Sequence, residues 1–252
     1  MRRALETLGP PLVALAAILA LWELAVALRA APPAVLPAPG AVAAAAWRDA
    51  PALVRALAST LRVTGVAMAL SVAVAWPLAA LIARWKFAAR ALYPLAVAVQ
   101  VTPVVAVAPL LLVWLDPRPA ELVCAVAVAF FPVLANAASG LSDVDPALVD
   151  LFRFHGASGG AEFALLRLRA ALPRALTGLR IGGGLALVGA VVAEIAAGSG
   201  GPDAGLAELM VKAGLDLDVP LLFAALGLLA GAGLAIFALT SALERWALAR
   251  FA

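Results

Sequence analysis

Residues that carry chemistry are scarce in this sequence. One cysteine, Cys124, and one histidine, His155, occur among 252 residues, and only 13% of positions are charged. A lone cysteine excludes an intrachain disulfide and a thiolate metal site built by this chain. His-Glu-x-x-His does not occur, and the Gly-x-Ser-x-Gly match at Gly156–Gly160 lies in a polar loop between helical patterns, without the strand-to-helix elbow that exposes such a serine. The only histidine falls in a polar segment, not beside a nucleophile deep in an apolar run, so the chain reads as no enzyme. Polar stretches of domain size are lacking too. A soluble domain is roughly 45–50% apolar and 25% charged; here 65% of residues are hydrophobic and the mean hydropathy is +1.07. The composition is that of an all-α integral membrane protein. A formal net charge of +3 is modest, and no nucleic-acid partner is expected.

What the sequence has in abundance is charge-free runs. Residues 63–83, 91–115, 122–141 and 219–243 each suffice to cross about 30 Å of hydrocarbon as a helix. Residues 176–198 add a fifth run with Arg180 and Glu194 near its ends, and 9–28 a sixth with Glu23. The first run is as long as a bilayer core requires and has no small-residue cleavage pattern behind it, so it reads as a retained span. The expectation is a single domain over 1–252 with six transmembrane helices and both termini on one side.

Basic residues near span ends set the orientation. Twelve of the eighteen, including Arg84, Lys86, Arg153, Arg167 and Arg174, share the side of the N-terminus, whereas Arg29, Arg48, Arg55, Arg62, Arg118 and Lys212 fall on the other. The N- and C-termini and the long loop 142–173 are therefore expected in the cytoplasm. The segment 199–218, with Asp203, Glu208, Asp216 and Asp218, is expected outside. Outside, too, "APPAVLPAPG" excludes a regular helix, since its prolines remove donors and fix φ. The stretch 41–58 after it reads as a peripheral amphipathic helix on the outer interface.

The loop has its own grammar. Asp145-Pro146 is a helix start, with Asp as cap and Pro at the first helical position. Ala147, Leu148, Leu151 and Phe152 follow at helical spacing, and Gly156 permits the left-handed conformation that ends a helix. Ser158 caps a second segment that runs through Pro173 into the fifth span. Two short helices hinged at Gly156 can transmit displacement from a soluble partner, or can float an apolar side on the lipid surface. Arg153 and His155 suit an acidic or phosphate-bearing interface.

At this point the residues resemble a known family. "LVDLFRFHGAS…ALPRALTGLRIGGGLALVGAVVAEI" is similar to the EAA loop and following span of permease subunits of bacterial ATP-binding-cassette importers, in the branch serving nitrate, taurine and aliphatic sulfonates. "LWEL", "LPAPGAV", "STLRVTGVAMALSVAVAWPLA", "VTPVVAVAPLLLVW", "FPVLANAASGL" and a final "LER" agree in order along essentially the whole chain. The resemblance implies a type I importer (MetI-like) permease fold in the bacterial inner membrane. It implies two ABC ATPase subunits that bind ATP and Mg, an extracytoplasmic solute-binding protein and a second copy of the permease, with no cofactor in this chain. It places ATPase coupling on Asp150, Leu151, Phe152, Arg153, His155, Gly156, Ala157 and Ser158. The Glu-Ala-Ala of the family falls on Asp150, Leu151 and Phe152, its glycine on Gly156, and its later Leu-Pro on Leu168-Arg169. The bulkier Leu151 and Phe152 require a matching pocket.

For the path itself the candidates are Gln100, Thr102, Asn136, Ser139 and Glu194, the few polar groups in or near the spans. An intramembrane ionisable group is a functional hypothesis by default; Glu194 also lies about 6 Å from the outer boundary at helical rise, where it can reach water. Gln100 and Asn136 equally suit interhelical hydrogen bonds. Pro77, Pro94, Pro103, Pro109 and Pro132 allow bends that suit path-lining helices. Gly178, Gly182 and Gly183, and Gly227 with Gly231, form small-xxx-small patterns for close helix packing. A secondary transporter or channel is the rival reading. Such proteins pair charges near the midplane and often repeat their halves, and this sequence shows neither feature.

Overall fold

Prolines and acidic caps set where the helices begin. In the computed structural model, which describes residues 2–28, 32, 34–198 and 204–251, Pro39 opens a short helix, Pro117 follows Asp116, and Pro146 follows Asp145. Arg29 and Asp203 lie outside the described residues. The elements are α1 (Arg2–Ala27), α2 (Pro39–Arg48), α3 (Ala50–Arg84), α4 (Lys86–Val101), α5 (Val104–Trp114), α6 (Pro117–Ser142), α7 (Pro146–Phe154), α8 (Gly159–Ala197), α9 (Leu206–Leu215) and α10 (Val219–Phe251). Within α8, residues Glu162–Arg167 form a π-helical turn. No strand occurs among the described residues.

Four helices, α3, α6, α8 and α10, are long and apolar enough to cross a membrane. The run expected as one third span is broken: α4 and α5 meet at 93°. Thr102 precedes Pro103, whose ring disfavours helical backbone at the residue before it, and Thr102 and Pro103 are both extended. Counted as one span, the bent pair makes five. The first helix adds a described apolar stretch, Val13–Ala27, shorter than a full crossing. It leans on the others through Trp22, whose indole Nε1 donates to the Pro37 carbonyl at 3.0 Å and whose ring lies 5.7 Å from Phe223.

The stretch 41–58 is not one peripheral helix. Asp49 separates α2 from α3, and 50–58 is the first part of α3. Likewise the segment after Ser158 is no separate short helix. It continues without a break through Pro173 to Ala197.

The centre of the bundle is the antiparallel pair α6 and α8. Ala171, Ala175, Gly178, Gly182, Ala186, Gly189 and Ala193 recur at three- or four-residue intervals and are all buried. They meet Ala125, Ala129, Val133, Asn136 and Gly140 of α6. A Cβ on Gly189 would lie 2.7 Å from the Ala125 Cα, and one on Gly178 2.8 Å from the Asn136 Cβ. Small residues let two backbones approach closely enough for dispersion contacts, which do the packing where lipid removes the hydrophobic incentive. Helix α3 seals this pair with Val63, Ala67, Ala75 and Ala79. Gly183 instead faces Ile236 of α10, while Gly227 and Gly231 meet nothing within 4 Å. The glycine pattern of the last span therefore serves no packing among the described residues.

The end of the bundle carrying α7 is called the loop end below, and the opposite one the far end. There, α2, α9 and α10 gather on the start of α3 around Leu53, Ala56, Leu206, Ala224 and Ala225. Arg48 bridges to Asp218 at 2.6 Å. Asp49, the next residue, and Asp218 hold the Arg48 guanidinium above its ordinary pKa, the hydrogen bond that Arg48 donates to Asp49 contributing most.

The seam gives a direct test. Gly189→Ala places a methyl against α6 backbone and is expected to cost about 1–3 kcal/mol, read as a lowered Tm of the detergent-solubilised protein. Gly184→Ala, with nothing within 4 Å of its Cβ position, is expected to leave Tm unchanged or raise it. Equal Tm values for both variants would contradict the close approach.

Candidate functional site

The loop-end site begins with a cap. Asp145 Oδ1 accepts from the Ala147 amide at 2.9 Å, satisfying a first-turn donor of α7. At the other end Gly156 has φ +75, and its amide donates to the Arg153 carbonyl at 3.0 Å while that of Ala157 reaches back to Phe152 at 3.0 Å. This paired 5→2 and 6→1 arrangement is a Schellman stop, and a left-handed residue with a Cβ is strained there. Ser158 Oγ then accepts from Ala161 at 3.3 Å and starts α8. Start, stop and restart all lie where the sequence puts them.

The two faces of α7 differ from the sequence expectation. Val149 is buried and Phe152 half-buried, so these turn toward the bundle. Leu148, Leu151 and Phe154 turn outward and are 45%, 50% and 89% exposed. Asp150 is exposed beside them, and His155 lies edge-on to Phe154 with its Nδ1 2.9 Å from the Leu151 carbonyl.

Buried Glu162 ties this helix down. One carboxylate oxygen accepts from Arg153 Nε at 3.1 Å and the other from Arg167 at 2.7 Å. Arg167 also donates to the Leu141 carbonyl of α6 at 3.2 Å. Arg174 of α8 pairs with both Asp143 and Ser139 of the α6 end. The hydrogen bond and charge of Arg174 hold the Asp143 carboxyl below its usual range. Arg153 is thus engaged inside the chain although its side chain is 61% exposed. A cavity of about 650 Å³ lies between α3 and this brace, with Arg84, Trp85, Gly160 and Phe163 on its wall.

The path candidates separate into three places. Gln100 and Thr102 line a cavity of about 610 Å³ at the α4–α5 break, shared with Cys124, Val128 and Leu185. Pro132 cannot donate to the Val128 carbonyl, so a wall residue of this apolar cavity carries an acceptor released from its helix. Asn136 Nδ2 donates to the Pro132 carbonyl of its own helix at 2.8 Å. Ser139 belongs to the loop-end brace.

Glu194 sits at the far end and is fully buried, not in reach of water. Its Oε1 accepts from Thr60 Oγ1 at 2.8 Å and its Oε2 from the Ala207 amide at 3.0 Å. Thr60 Oγ1 in turn accepts from the Leu206 amide at 2.9 Å. Glu208 closes the same helix start by accepting from Gly205 at 3.1 Å. The carboxylate of one helix therefore caps another, at the positive end of its dipole. Gly205 is required by contact: a Cβ there would lie 2.1 Å from the Glu194 Cδ. Sequence reasoning missed Thr60, Glu162 and Arg174. Only their polarity at the edges of apolar runs marks them out.

A multi-pass helical bundle also agrees with the family comparison. Residues 71–249 match the model of the binding-protein-dependent transport system inner membrane component. The chain belongs to that family and is a permease component of binding-protein-dependent transport. A search of curated proteins finds no match.

The far-end cap can be tested separately. Gly205→Ala forces the Glu194 carboxylate aside, leaves buried amides unpaired and is expected to cost about 1–3 kcal/mol for each, seen as a lower Tm. Glu194→Gln keeps an acceptor and is expected to lose less than Glu194→Leu; the reverse order in thermal unfolding would contradict the cap.

Proposed function

We propose that this chain is the transmembrane permease subunit of an ATP-binding-cassette importer in the bacterial inner membrane, with both termini and α7 on the cytoplasmic side. A solute-binding protein delivers a small solute to the far end, and two separate ATPase subunits, which hold ATP and Mg, supply the energy. Two permease copies enclose one path. The chain itself catalyses nothing.

The observation that carries this reading is α7. It presents Leu148, Leu151 and Phe154 away from the bundle, while Arg153 ties it to Glu162 of α8, which Arg167 joins in turn to the Leu141 carbonyl of α6. A projecting apolar stripe on a rigid base suits a cleft in a soluble partner better than a lipid surface, because the neighbouring Asp150 is an anion beside the stripe. An engine that pushes α7 pushes α8, the continuous helix that forms half of the central seam.

Substrate class follows from resemblance to the branch serving nitrate, taurine and sulfonates. Partners of that branch recognise cargo in the binding protein, so the permease path needs only weak affinity.

Leu151→Glu and Phe154→Glu each remove an apolar anchor worth about 1.5–3 kcal/mol. Roughly tenfold or greater loss of ATPase co-purification and of ATP-driven uptake in proteoliposomes is expected, with membrane insertion and Tm unchanged. Gly156→Val, strained by about 1–2 kcal/mol, should lower coupling in the same assay. Uptake that continues without any ATPase would favour a channel or secondary transporter instead.

A further inference from the structure

The far end holds a further cavity, of about 520 Å³, between α3 and the start of α6, and its charge is one-sided. Arg55, Arg62 and Arg118 line it, with Ser59, Val66 and Leu122. Positions 55, 59, 62 and 66 are spaced by four, three and four residues, which brings them onto one stripe of α3. Ser59 stands at the middle of the group: Arg118 Nη2 donates to its Oγ at 2.6 Å, Arg55 is one turn before it and Arg62 one turn after. Of the three cations, Arg118 is matched by Glu121 at 2.9 Å. Arg55 donates its Nε to its own helix at the Pro51 carbonyl, 3.1 Å away. Neither Arg55 nor Arg62 meets a carboxylate among the described residues.

Such a group is self-repelling, and an apolar floor of valine and leucine beneath it offers no relief. Arginines fork toward planar or tetrahedral oxyanions and are weakly hydrated, so an anion that bridges two of them gains charge-assisted hydrogen bonds. The stripe does not stop there. Ala73, Pro77, Ala80 and Arg84 continue it at the same helical phase down to the wall of the loop-end cavity. Val66 and Ala73, between the two cavities, are exposed within this chain. One face of a single helix therefore carries basic residues at both mouths and small apolar ones between.

We infer that the cavity formed by Arg55, Arg62, Arg118 and Ser59 is the entry site for an anionic cargo, a small oxyanion either inorganic or bearing a short apolar tail, and that this face of α3 lines its route. The inference rests on the permease reading and deepens it, since the small solute is then an anion. Affinity at the site is weak, because the anion must leave along a stripe with no further cation until Arg84.

Trifluoromethanesulfonate is a suitable probe, because binding to the full-length chain in lipid nanodiscs broadens its fluorine resonance without ATPase, binding protein or energy. Broadening is expected, reversed by excess nitrate or methanesulfonate and not by neutral dimethyl sulfone. The double variant Arg55→Gln with Arg62→Gln should weaken binding about tenfold or more, Arg62→Lys should keep part of it, and Arg48→Gln, whose arginine is matched by Asp218, should keep all of it. In the reconstituted complex the double variant should slow uptake of an anionic solute by a similar factor while leaving complex assembly intact. No broadening by the wild-type chain, or equal broadening by the double variant, overturns the inference. So does a double variant that binds the probe normally and loses only capture of the binding protein, since the arginines then dock an acidic protein surface. Retained probe binding in a chain that shows no ATP-driven uptake refutes the importer reading alone.

Discussion

Everything else in the molecule hangs on the close approach of α6 and α8. In lipid, apolar side chains gain nothing by turning from acyl chains to one another, so two helices hold together through fit and through the polar groups that they satisfy. Here the fit comes from glycine and alanine along the length of both helices, with backbone atoms near enough that a methyl group at Gly189 or Gly140 would collide. Larger residues would give more surface and less contact. The seam is also what allows α3, α5 and α10 to pack around a narrow centre, with cavities at the periphery of that pair.

A rigid centre changes what the loop can do. Since α8 runs unbroken from Gly159 to Ala197, force applied at α7 cannot be absorbed by a second hinge after Ser158. The π turn at Glu162–Arg167 is an irregularity within it, besides Pro173, and lies where Glu162 grips two arginines. Extra backbone slack is thus confined to the point at which the loop is most tightly held. Helix α7 is free to tilt about Gly156 only as far as the Arg153–Glu162 pair permits. In the proposed coupling, a push on α7 beyond that limit would move α8 and, through the seam, α6.

Local grammar in the sequence was legible where a single residue decides the outcome. Asp145, Pro146, Gly156 and Ser158 each act through their own backbone geometry, so the limits of α7 could be read without any knowledge of neighbours. Gly178 and Gly182 were legible as packing positions, whereas Gly227 and Gly231 share the same spacing and touch nothing within the chain. Spacing says which face is small, not whether a helix comes to it. The break at Thr102-Pro103 was foreshadowed by proline, but hydropathy runs straight across it and suggested one span. Glu194 was the least legible, because its role is set by Thr60 and by an amide 13 residues away at the start of another helix. Nothing in the sequence around a carboxylate announces that its partners are backbone donors from a different element.

The distribution of charge along the bundle follows from the same economy of polar groups. At the far end Glu194 and Glu208 are consumed by the start of α9, and at the loop end Asp143, Glu162 and Glu244 are consumed by arginines. These five acidic residues are thus committed to holding helices together. Two basic residues of the far end are not so committed: Arg55 and Arg62 have no acidic partner among the described residues. A membrane protein pays most heavily for charges that neither pair nor reach water, and these two reach water through the cavity they line. Carboxylates balanced within the fold, beside two arginines that meet none, leave a local surplus of positive charge at the cavity between α3 and α6. That asymmetry, and not any one residue, is what an anion approaching the far end would meet.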